Sequence, residues 1–90
     1  MKPVNVVEVV SPGCQICHVV EKFWDDHKSE WPNVSFRRVD VVTQEGTGLA
    51  EKYMILASPG LIINDELFSV GGFDPGKFTD KLNELSKDMR

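Results

Sequence analysis

The sequence predicts a single α/β domain over residues 1–90, with one small four-stranded mixed sheet and helices on both of its faces. The chain has 90 residues, 41% apolar and 27% charged, which suits one packed core. Strand-like and helix-like stretches alternate in the order β-α-β-α-β-β-α. The two cysteines, Cys14 and Cys17, stand where the first strand ends and the first helix begins.

The first half of the chain is typical of a parallel strand–helix–strand unit. Residues 4–10 are a nearly continuous β-branched run, as in a strand buried on both faces, and Pro12 and Gly13 end it. A helix is expected over about residues 14–29, because apolar residues recur there at three- and four-residue spacing: Ile16, Val19, Val20, Phe23 and Trp24. Residues 34–42 form the second strand, and the excursion is long enough for a right-handed parallel crossover.

A second helix is expected after Thr43, which suits the N-cap position. Gly46 and Gly48 weaken its first turn. Its inner face is predicted to hold four residues at helical spacing: Leu49, Ala50, Tyr53 and Met54.

The last third of the chain predicts an antiparallel hairpin followed by a helix. Residues 60–64 and 67–70 are short apolar strands, with the turn at Asp65 and Glu66. Gly71 and Gly72 end the hairpin. Asp74 suits an N-cap and Pro75 the first helical position. The apolar positions expected to be buried by this helix are Phe78, Leu82, Leu85 and Met89.

Charge and hydropathy disfavour several classes of protein. The formal net charge is −4 and the isoelectric point is near 5.0, whereas binders of nucleic acid or anionic membranes are usually basic. Arg37 and Arg38 form the only basic doublet, which we expect on an exposed strand face. No stretch has the length of a membrane span, and the first residues do not follow the signal-peptide pattern. We therefore expect a cytoplasmic protein.

The spacing and position of Cys14 and Cys17 indicate redox, metal or cofactor chemistry rather than a secreted disulfide scaffold. At a helix N-terminus, free N–H groups and the helix dipole stabilise a thiolate, and CxxC thiols can have pKa values of about 3.5–7.5. Cys14 is expected to be the exposed nucleophile. Cys17, one turn later and more buried, can form a disulfide with Cys14 or resolve a mixed disulfide.

Residues 11–17, SPGCQIC, resemble the active-site turn of the thioredoxin superfamily. Nearly the whole chain is similar to its small glutaredoxin-like members, which lack an extra N-terminal strand and helix, and residues 49–53 resemble the end of their second helix. Ser58 and Pro59 fall where the family has a cis-proline facing the cysteines, which implies that the Ser58 backbone pairs with an extended substrate segment. Glu8, six residues before Cys14, falls where thioredoxins have a buried aspartate, which implies an acceptor for the Cys17 proton.

Gly71, Gly72 and Asp74 are similar to the glutathione-binding turn of glutaredoxins, in which N–H groups and a helix N-terminus hold a carboxylate. The alternative is a glycine turn before a capped helix, since Pro75 lacks one of the N–H groups. The chain also departs from the family. Gly13 stands where thioredoxins have Trp, Gly60 follows the proline where Thr is common, and Met54 stands at a helix end where Gly is common.

The resemblance implies a thiol–disulfide oxidoreductase that reduces protein disulfides, needs no cofactor or metal, and acts as a monomer. A reductase like thioredoxin reductase, or glutathione, would restore the dithiol. One alternative is a glutathione-dependent glutaredoxin. An alternative of another class is a copper-binding CxxC module, in which soft thiolates bind Cu(I), although such domains have the order β-α-β-β-α-β.

Two further cofactor interpretations depend on histidines. Cys14, Cys17 and His18 spell the attachment motif of c-type haem, but the β-rich pattern does not suit a small cytochrome. Zinc binding by these residues and His27 lacks a second spaced pair of ligands. His18 could instead approach Cys14 on the same helix face, where a charged imidazole would favour the thiolate.

Overall fold

Strands and helices alternate along residues 1–87, which are the residues that the computed structural model describes. The elements are β1 (Val4–Val10), α1 (Gln15–His27), β2 (Val34–Asp40), α2 (Gln44–Tyr53), β3 (Gly60–Ile63), β4 (Glu66–Val70) and α3 (Pro75–Ser86). The predicted element order is confirmed. Met89, predicted to be buried by the last helix, lies outside the described residues.

The four strands form one mixed sheet in the order β2-β1-β3-β4. β1 pairs in parallel with β2, and β3 is antiparallel to β4, as predicted; β3 is also antiparallel to β1. β1 is therefore a central strand, which explains why most of its residues are apolar. Within residues 1–87, no helix is long and apolar enough to cross a membrane.

Helices cover both faces of the sheet, and each face has its own apolar cluster. Side chains of alternating strand residues point to opposite faces, so Val4 and Val6 contribute to one cluster and Val9 to the other. The first cluster also contains Val20 of α1, together with Phe78 and Leu82 of α3. Leu49, Ala50 and Tyr53 of α2 pack against the second. α1 and α3 therefore lie on one face and α2 on the other.

The predicted inner face of α1 is wrong in part. Ile16 and Val19 are exposed, whereas Cys17 and Val20 are buried. Neighbouring helical positions differ in direction by about 100°, so Val20 lies in the core and Trp24 packs against it, as predicted, while Val19 faces solvent. The α-helix also ends at His27 and not at Ser29, because residues Lys28–Glu30 tighten into a 3₁₀ turn.

The short connection between β2 and α2 begins earlier in the chain than the sequence predicted. The strand ends at Asp40 and not at Val42, because the Asp40 carboxylate accepts the Val42 N–H. Thr43 caps α2 as predicted, accepting the Gly46 N–H at 3.0 Å. A Cβ at position 46 would overlap the Asp40 carbonyl. Glycine is therefore needed for the close approach of α2 to the end of β2.

Two predicted details of the second half also differ. Met54 is not on the inner face of α2: it ends the helix in the left-handed conformation, with φ 54°, and is exposed. The hairpin turn is at Asn64 and Asp65, one residue earlier than predicted, and both residues have positive φ, as a two-residue type I′ turn requires. Asp74 caps α3 and Pro75 begins it, as predicted.

Candidate active site

The turn before Cys14 places this cysteine at the N-terminus of α1. The Cys14 N–H donates to the Ser11 carbonyl at 3.3 Å, which closes a four-residue turn. Pro12 stands second in this turn, and Gly13 stands third with φ +75°, which is the pattern of a type II turn. A positive φ favours glycine over a bulky side chain at position 13. The positive φ therefore explains why glycine suits position 13 in this turn.

Cys14 and Cys17 form a disulfide, with Cα atoms 5.3 Å apart. Cys14 is the N-cap of α1, and its Sγ accepts the backbone N–H of Cys17 at 3.1 Å. Cys17 is buried, whereas Cys14 is only half-buried. After reduction, a sulfur that accepts a helix N–H at this position is stabilised as a thiolate, because the N–H and the helix dipole favour negative charge. Cys14 Sγ is therefore the more accessible sulfur of the pair, and Cys17 Sγ is the enclosed one.

Glu8 is fully buried, in the middle of β1. It lies on the same face of the strand as Val4 and Val6, the face that α1 and α3 cover. Neither carboxylate oxygen has a hydrogen-bond partner among the described residues. The pKa of Glu8 is raised from 4.5 to about 7: burial is the largest cause, the negative charge of Glu21 adds to the rise, and Arg38 opposes it. Glu8 can therefore exchange a proton near neutral pH.

The loop before β3 closes the other side of the site. The Ser58–Pro59 bond is cis, as the resemblance implied. The hydroxyls of Ser11 and Ser58 share a hydrogen bond of 2.5 Å. The Pro59 carbonyl accepts the Gly71 N–H at 2.9 Å. The fold thus brings together the turn before Cys14, the cis-proline loop and the end of β4. A cleft of about 230 Å³ beside the two serines has an apolar lining: Val9, Val41, Ile55, Leu56 and Ala57.

A model of a protein family described as a thioredoxin domain matches residues 5–84. The chain belongs to the thioredoxin domain family. A search of curated proteins found no match. The thioredoxin-like fold class predicted from the sequence, a four-stranded mixed sheet with helices on both faces, is confirmed.

Solved thioredoxin structures have the same fold. Oxidised thioredoxin O2 from Arabidopsis thaliana superposes with a TM-score of 0.75 at 17% identity, over 96% of this chain and 77% of that one. Mitochondrial thioredoxin 3 from Saccharomyces cerevisiae gives 0.74 at 18% identity, over 94% and 81%. Fasciola hepatica thioredoxin gives 0.74 at 21% identity, over 93% and 82%. At these identities the likeness shows the fold alone.

Family membership and the cysteine pair together define the chemical class of this thioredoxin-domain protein. It is a thiol–disulfide oxidoreductase. The copper-chaperone alternative requires a β-α-β-β-α-β order, whereas the observed order is β-α-β-α-β-β-α. Within residues 1–87, no group of three or more His, Cys, Asp or Glu side chains is arranged to hold a metal ion.

The residues of the predicted glutathione turn are divided between two structural roles. Gly71 has φ +80° and contacts the cis-proline loop through its N–H. Asp74 uses its carboxylate to cap α3, accepting the Lys77 N–H at 3.1 Å. Gly72 and Asp74 also line a cleft of about 370 Å³ between β4 and α3, whose other lining residues are Phe68, Ser69, Val70, Phe73 and Lys77. The turn is thus both a cap and the wall of a cleft.

The ion pair between Glu21 and Arg38 was not predicted from the sequence. Arg38 Nη1 lies 2.7 Å from Glu21 Oε1, and Arg38 is the cross-strand partner of Glu8 in the β1–β2 pair. Arg37 and Arg38 are both exposed, as predicted, but their side chains lie on opposite faces of the sheet, because consecutive strand residues point to opposite faces. Arg37 instead pairs with Glu45 of α2. The sequence contained one signal for the position of Glu21, because this residue follows Cys17 by one helical turn and lies on the same side of α1.

The remaining histidine prediction concerns His18. Its side chain is exposed, and Nδ1 lies 3.8 Å from Glu21 Oε1. The carboxylate of Glu21 therefore faces two groups, Arg38 at ion-pair distance and His18 farther away. An influence of His18 on the Cys14 thiolate stays a prediction.

Proposed function

We propose that the protein reduces disulfide bonds of other proteins through the Cys14–Cys17 dithiol. The observation that carries this proposal is the hydrogen bond from the Cys17 N–H to Cys14 Sγ at the start of α1. It gives the more accessible cysteine the stabilised thiolate and keeps the second thiol enclosed beside it. A thiolate is the species that attacks a disulfide sulfur.

The proposed cycle transfers two electrons to the substrate. The Cys14 thiolate attacks one sulfur of a substrate disulfide, forms a mixed disulfide and displaces the first substrate thiolate. Cys17 gives its proton to the Glu8 carboxylate, and its thiolate attacks Cys14 Sγ. The bond between Cys14 and the substrate breaks, and the second substrate thiolate leaves. The protein ends as the Cys14–Cys17 disulfide, Glu8 releases its proton to solvent, and the two substrate thiolates take up two protons from solvent.

The surroundings of Cys14 support a protein as the substrate. Ser58, before the cis-proline, stands beside an apolar cleft that Leu56 and Ala57 also line. In the family the backbone at this position pairs with an extended segment, and we assign that role to Ser58 and Pro59 here. A reductase of the thioredoxin reductase type would reduce the Cys14–Cys17 disulfide and so restore the dithiol. We also propose a monomeric protein in the cytoplasm, where the reducing environment keeps such a pair reduced.

A redox titration of the Cys14–Cys17 pair in defined thiol–disulfide buffers tests the chemistry. The expected result is one reversible two-electron transition with a midpoint near that of thioredoxin, at about −270 mV. A midpoint near −120 mV would indicate an oxidant and contradict the direction proposed. Failure of the pair to form an intramolecular disulfide would contradict the mechanism itself.

A glutathione-dependent glutaredoxin is the second candidate, and the cleft between β4 and α3 favours it. This cleft has a cation, Lys77, and a buried Ser69 hydroxyl that has no hydrogen-bond partner among the described residues. A glutathione carboxylate would suit such surroundings. We favour the thioredoxin-type activity, since Asp74 is engaged as a cap and Pro75 provides no N–H.

Two substrates separate these candidates. With a dithiol as reductant, the thioredoxin-type activity reduces insulin disulfides and is unchanged in Lys77→Met. A glutaredoxin reduces a mixed disulfide between glutathione and cysteine with glutathione as reductant, and Lys77→Met raises its KM for glutathione. Lys81→Met, on the same helix, is the charge-matched control. If activity in the glutathione assay exceeds activity in the insulin assay, and Lys77→Met raises the KM for glutathione, the second candidate replaces our proposal.

A further inference from the structure

The buried acid Glu8 lies beside a cation that does not neutralise it. Glu8 and Arg38 are cross-strand partners in the parallel β1–β2 pair, so their side chains share one face of the sheet. Yet both oxygens of Glu8 lack a hydrogen-bond partner among the described residues, and the Arg38 guanidinium is 2.7 Å from Glu21. Hydrogen bonds between a guanidinium and a carboxylate are among the strongest in proteins, so the choice of carboxylate by Arg38 matters for Glu8.

We propose that Glu21 is a positioning residue: it holds the Arg38 guanidinium away from Glu8, so that Glu8 stays free to accept the Cys17 proton during resolution. This inference rests on the proposed function, and it assigns a role to a residue outside the cysteine motif. Glu21 is well placed, because it follows Cys17 by one turn of α1 and reaches across to the edge strand β2.

The ion pair between Glu21 and Arg38 differs from the surface pair on the neighbouring strand position. The Glu21 side chain is 23% exposed, whereas the Glu45 side chain that binds Arg37 is 56% exposed. Partial burial reduces screening by water, so the Glu21–Arg38 pair is the stronger of the two. It lines a cleft of about 220 Å³ between α1 and β2, together with Trp24, Asp25, Lys28 and Phe36.

The charge of Glu21 acts on Glu8 in two ways, and both have the same sign. Its own negative charge disfavours ionisation of Glu8, and its hold on Arg38 keeps a positive charge from favouring ionisation. A carboxylate paired with arginine would be a weak base, because protonation would break the pair. Together with burial, which is the larger cause, this arrangement gives Glu8 a pKa of about 7, which suits a proton acceptor that works near neutral pH.

The other groups around Glu8 do not replace this arrangement. β3 presents Leu61 as its cross-strand partner, and α3 presents Phe78 and Leu82 to the same core. On β2, the Asp40 carboxylate already accepts the Val42 N–H. From α1 come Cys17, whose thiol exists only after reduction, and Glu21, which also lies 3.8 Å from the exposed His18.

The experiment follows the two steps of the reaction separately. The reduced protein is mixed with the disulfide of 5-thio-2-nitrobenzoate in a stopped-flow instrument, in a His18→Asn background that removes the imidazole 3.8 Å from Glu21. Attack by Cys14 releases one coloured thiolate, and resolution by Cys17 releases the second. The pH dependence of the second phase reports proton loss from Cys17, and the first phase shows that Cys14 is active.

Opposite shifts are expected from the two members of the ion pair. Glu21→Gln moves the midpoint of the pH dependence of the second-phase rate to lower pH, and Arg38→Met moves this midpoint to higher pH. Each shift is at least ~0.3 pH unit, which is about a twofold change in rate where the rate rises with pH. Asp25→Asn, in the same cleft, and Arg37→Met, on the opposite strand face, are charge-matched controls and leave it unchanged. In a Glu8→Gln background neither shift occurs.

A titration of the Glu8 carboxyl carbon by NMR in the oxidised proteins must show shifts of the same signs, since no cysteine titrates in that form. Shifts of equal sign, no shift in Glu21→Gln, or shifts that persist without Glu8 would overturn the assignment of Glu21. Absence of the first phase in the unmodified protein would instead overturn the proposed function.

Discussion

The hydroxyl oxygens of Ser11 and Ser58 lie 2.5 Å apart and join the turn before Cys14 to the loop of the cis-proline. The two residues are 47 positions apart in the chain, and both are half-buried. One hydroxyl donates and the other accepts, which leaves one O–H proton of the pair for a further acceptor. The contact therefore holds the two sides of the candidate active site together.

Removing the Ser11 hydroxyl should lower the free energy of unfolding by a measurable amount. Ser11→Ala leaves the Ser58 hydroxyl half-buried without its partner, which costs about 1 kcal/mol in free energy of unfolding. Urea unfolding of the oxidised protein measures this loss. Ser35→Ala removes an exposed hydrogen bond to Asn5 and should lose less. Equal losses in the two variants would show that the contact between the serines adds no stability.

Substitution of each cysteine should separate attack from resolution. Cys14→Ser is expected to reduce disulfides no faster than solution without protein, because the accessible nucleophile is gone. Cys17→Ser keeps the nucleophile but lacks the resolving thiol, so mixed disulfides accumulate and appear as adducts in non-reducing electrophoresis. Retained activity in Cys14→Ser would mean that the nucleophile is misassigned, and no adducts with Cys17→Ser would mean the same for the resolving thiol.

Glu8 should make stability depend on pH. Its pKa is raised from 4.5 to about 7 in the folded protein, so the folded state holds the proton more tightly than the unfolded chain. The contribution of Glu8 is therefore neutral below about pH 4.5, becomes destabilising as pH rises towards 7, and stays so above it. At pH 8 the buried charge of Glu8 lowers the free energy of unfolding by about 3 kcal/mol.

The variant Glu8→Gln measures this cost directly. It should be more stable than the unmodified protein at pH 8, and the difference should shrink by about 3 kcal/mol at pH 4.5. Urea unfolding at both pH values gives the two differences, and other titrating groups cancel in the comparison. Glu51→Gln changes an exposed acid and is the control. A difference that does not change with pH would refute the raised pKa.

Met54 is a position where a smaller residue should stabilise the protein. It adopts φ 54° and is 75% exposed, so its side chain loses little packing when removed. The left-handed conformation costs a non-glycine residue about 1–2 kcal/mol, and part of this is offset by the greater freedom of glycine in the unfolded chain. Met54→Gly is expected to raise stability by about 0.5–1 kcal/mol.

Thermal unfolding provides the measurement for Met54→Gly. The control is Leu56→Gly, at a neighbouring position that is 90% exposed and has no positive φ. It should lower stability or leave it unchanged, because it only increases the freedom of the unfolded chain. A gain of equal size in both variants would show that backbone strain at Met54 is not the cause.

Signals within a few residues of one another predicted much of this structure. The buried run at β1, the N-caps Thr43 and Asp74, and Pro75 at the start of α3 are all local patterns, and each lies where the sequence placed it. The exposed faces were predicted less well. Ile16 and Val19 have the spacing of core residues but face solvent, since the sheet selects which stripe of α1 it covers.

The sequence by itself determined the order of the elements and the position of the cysteine pair at a helix N-terminus, because hydrogen-bonding caps and hydrophobic periodicity act over short distances. Only the tertiary structure decided which groups surround that pair. Glu8 is a buried carboxyl group with a raised pKa because helices and strands from distant parts of the chain remove water from it. Arg38 forms an ion pair with Glu21 rather than with Glu8, because α1 packs beside the edge strand β2. Burial and electrostatics depend on contacts between distant residues, which no local pattern records.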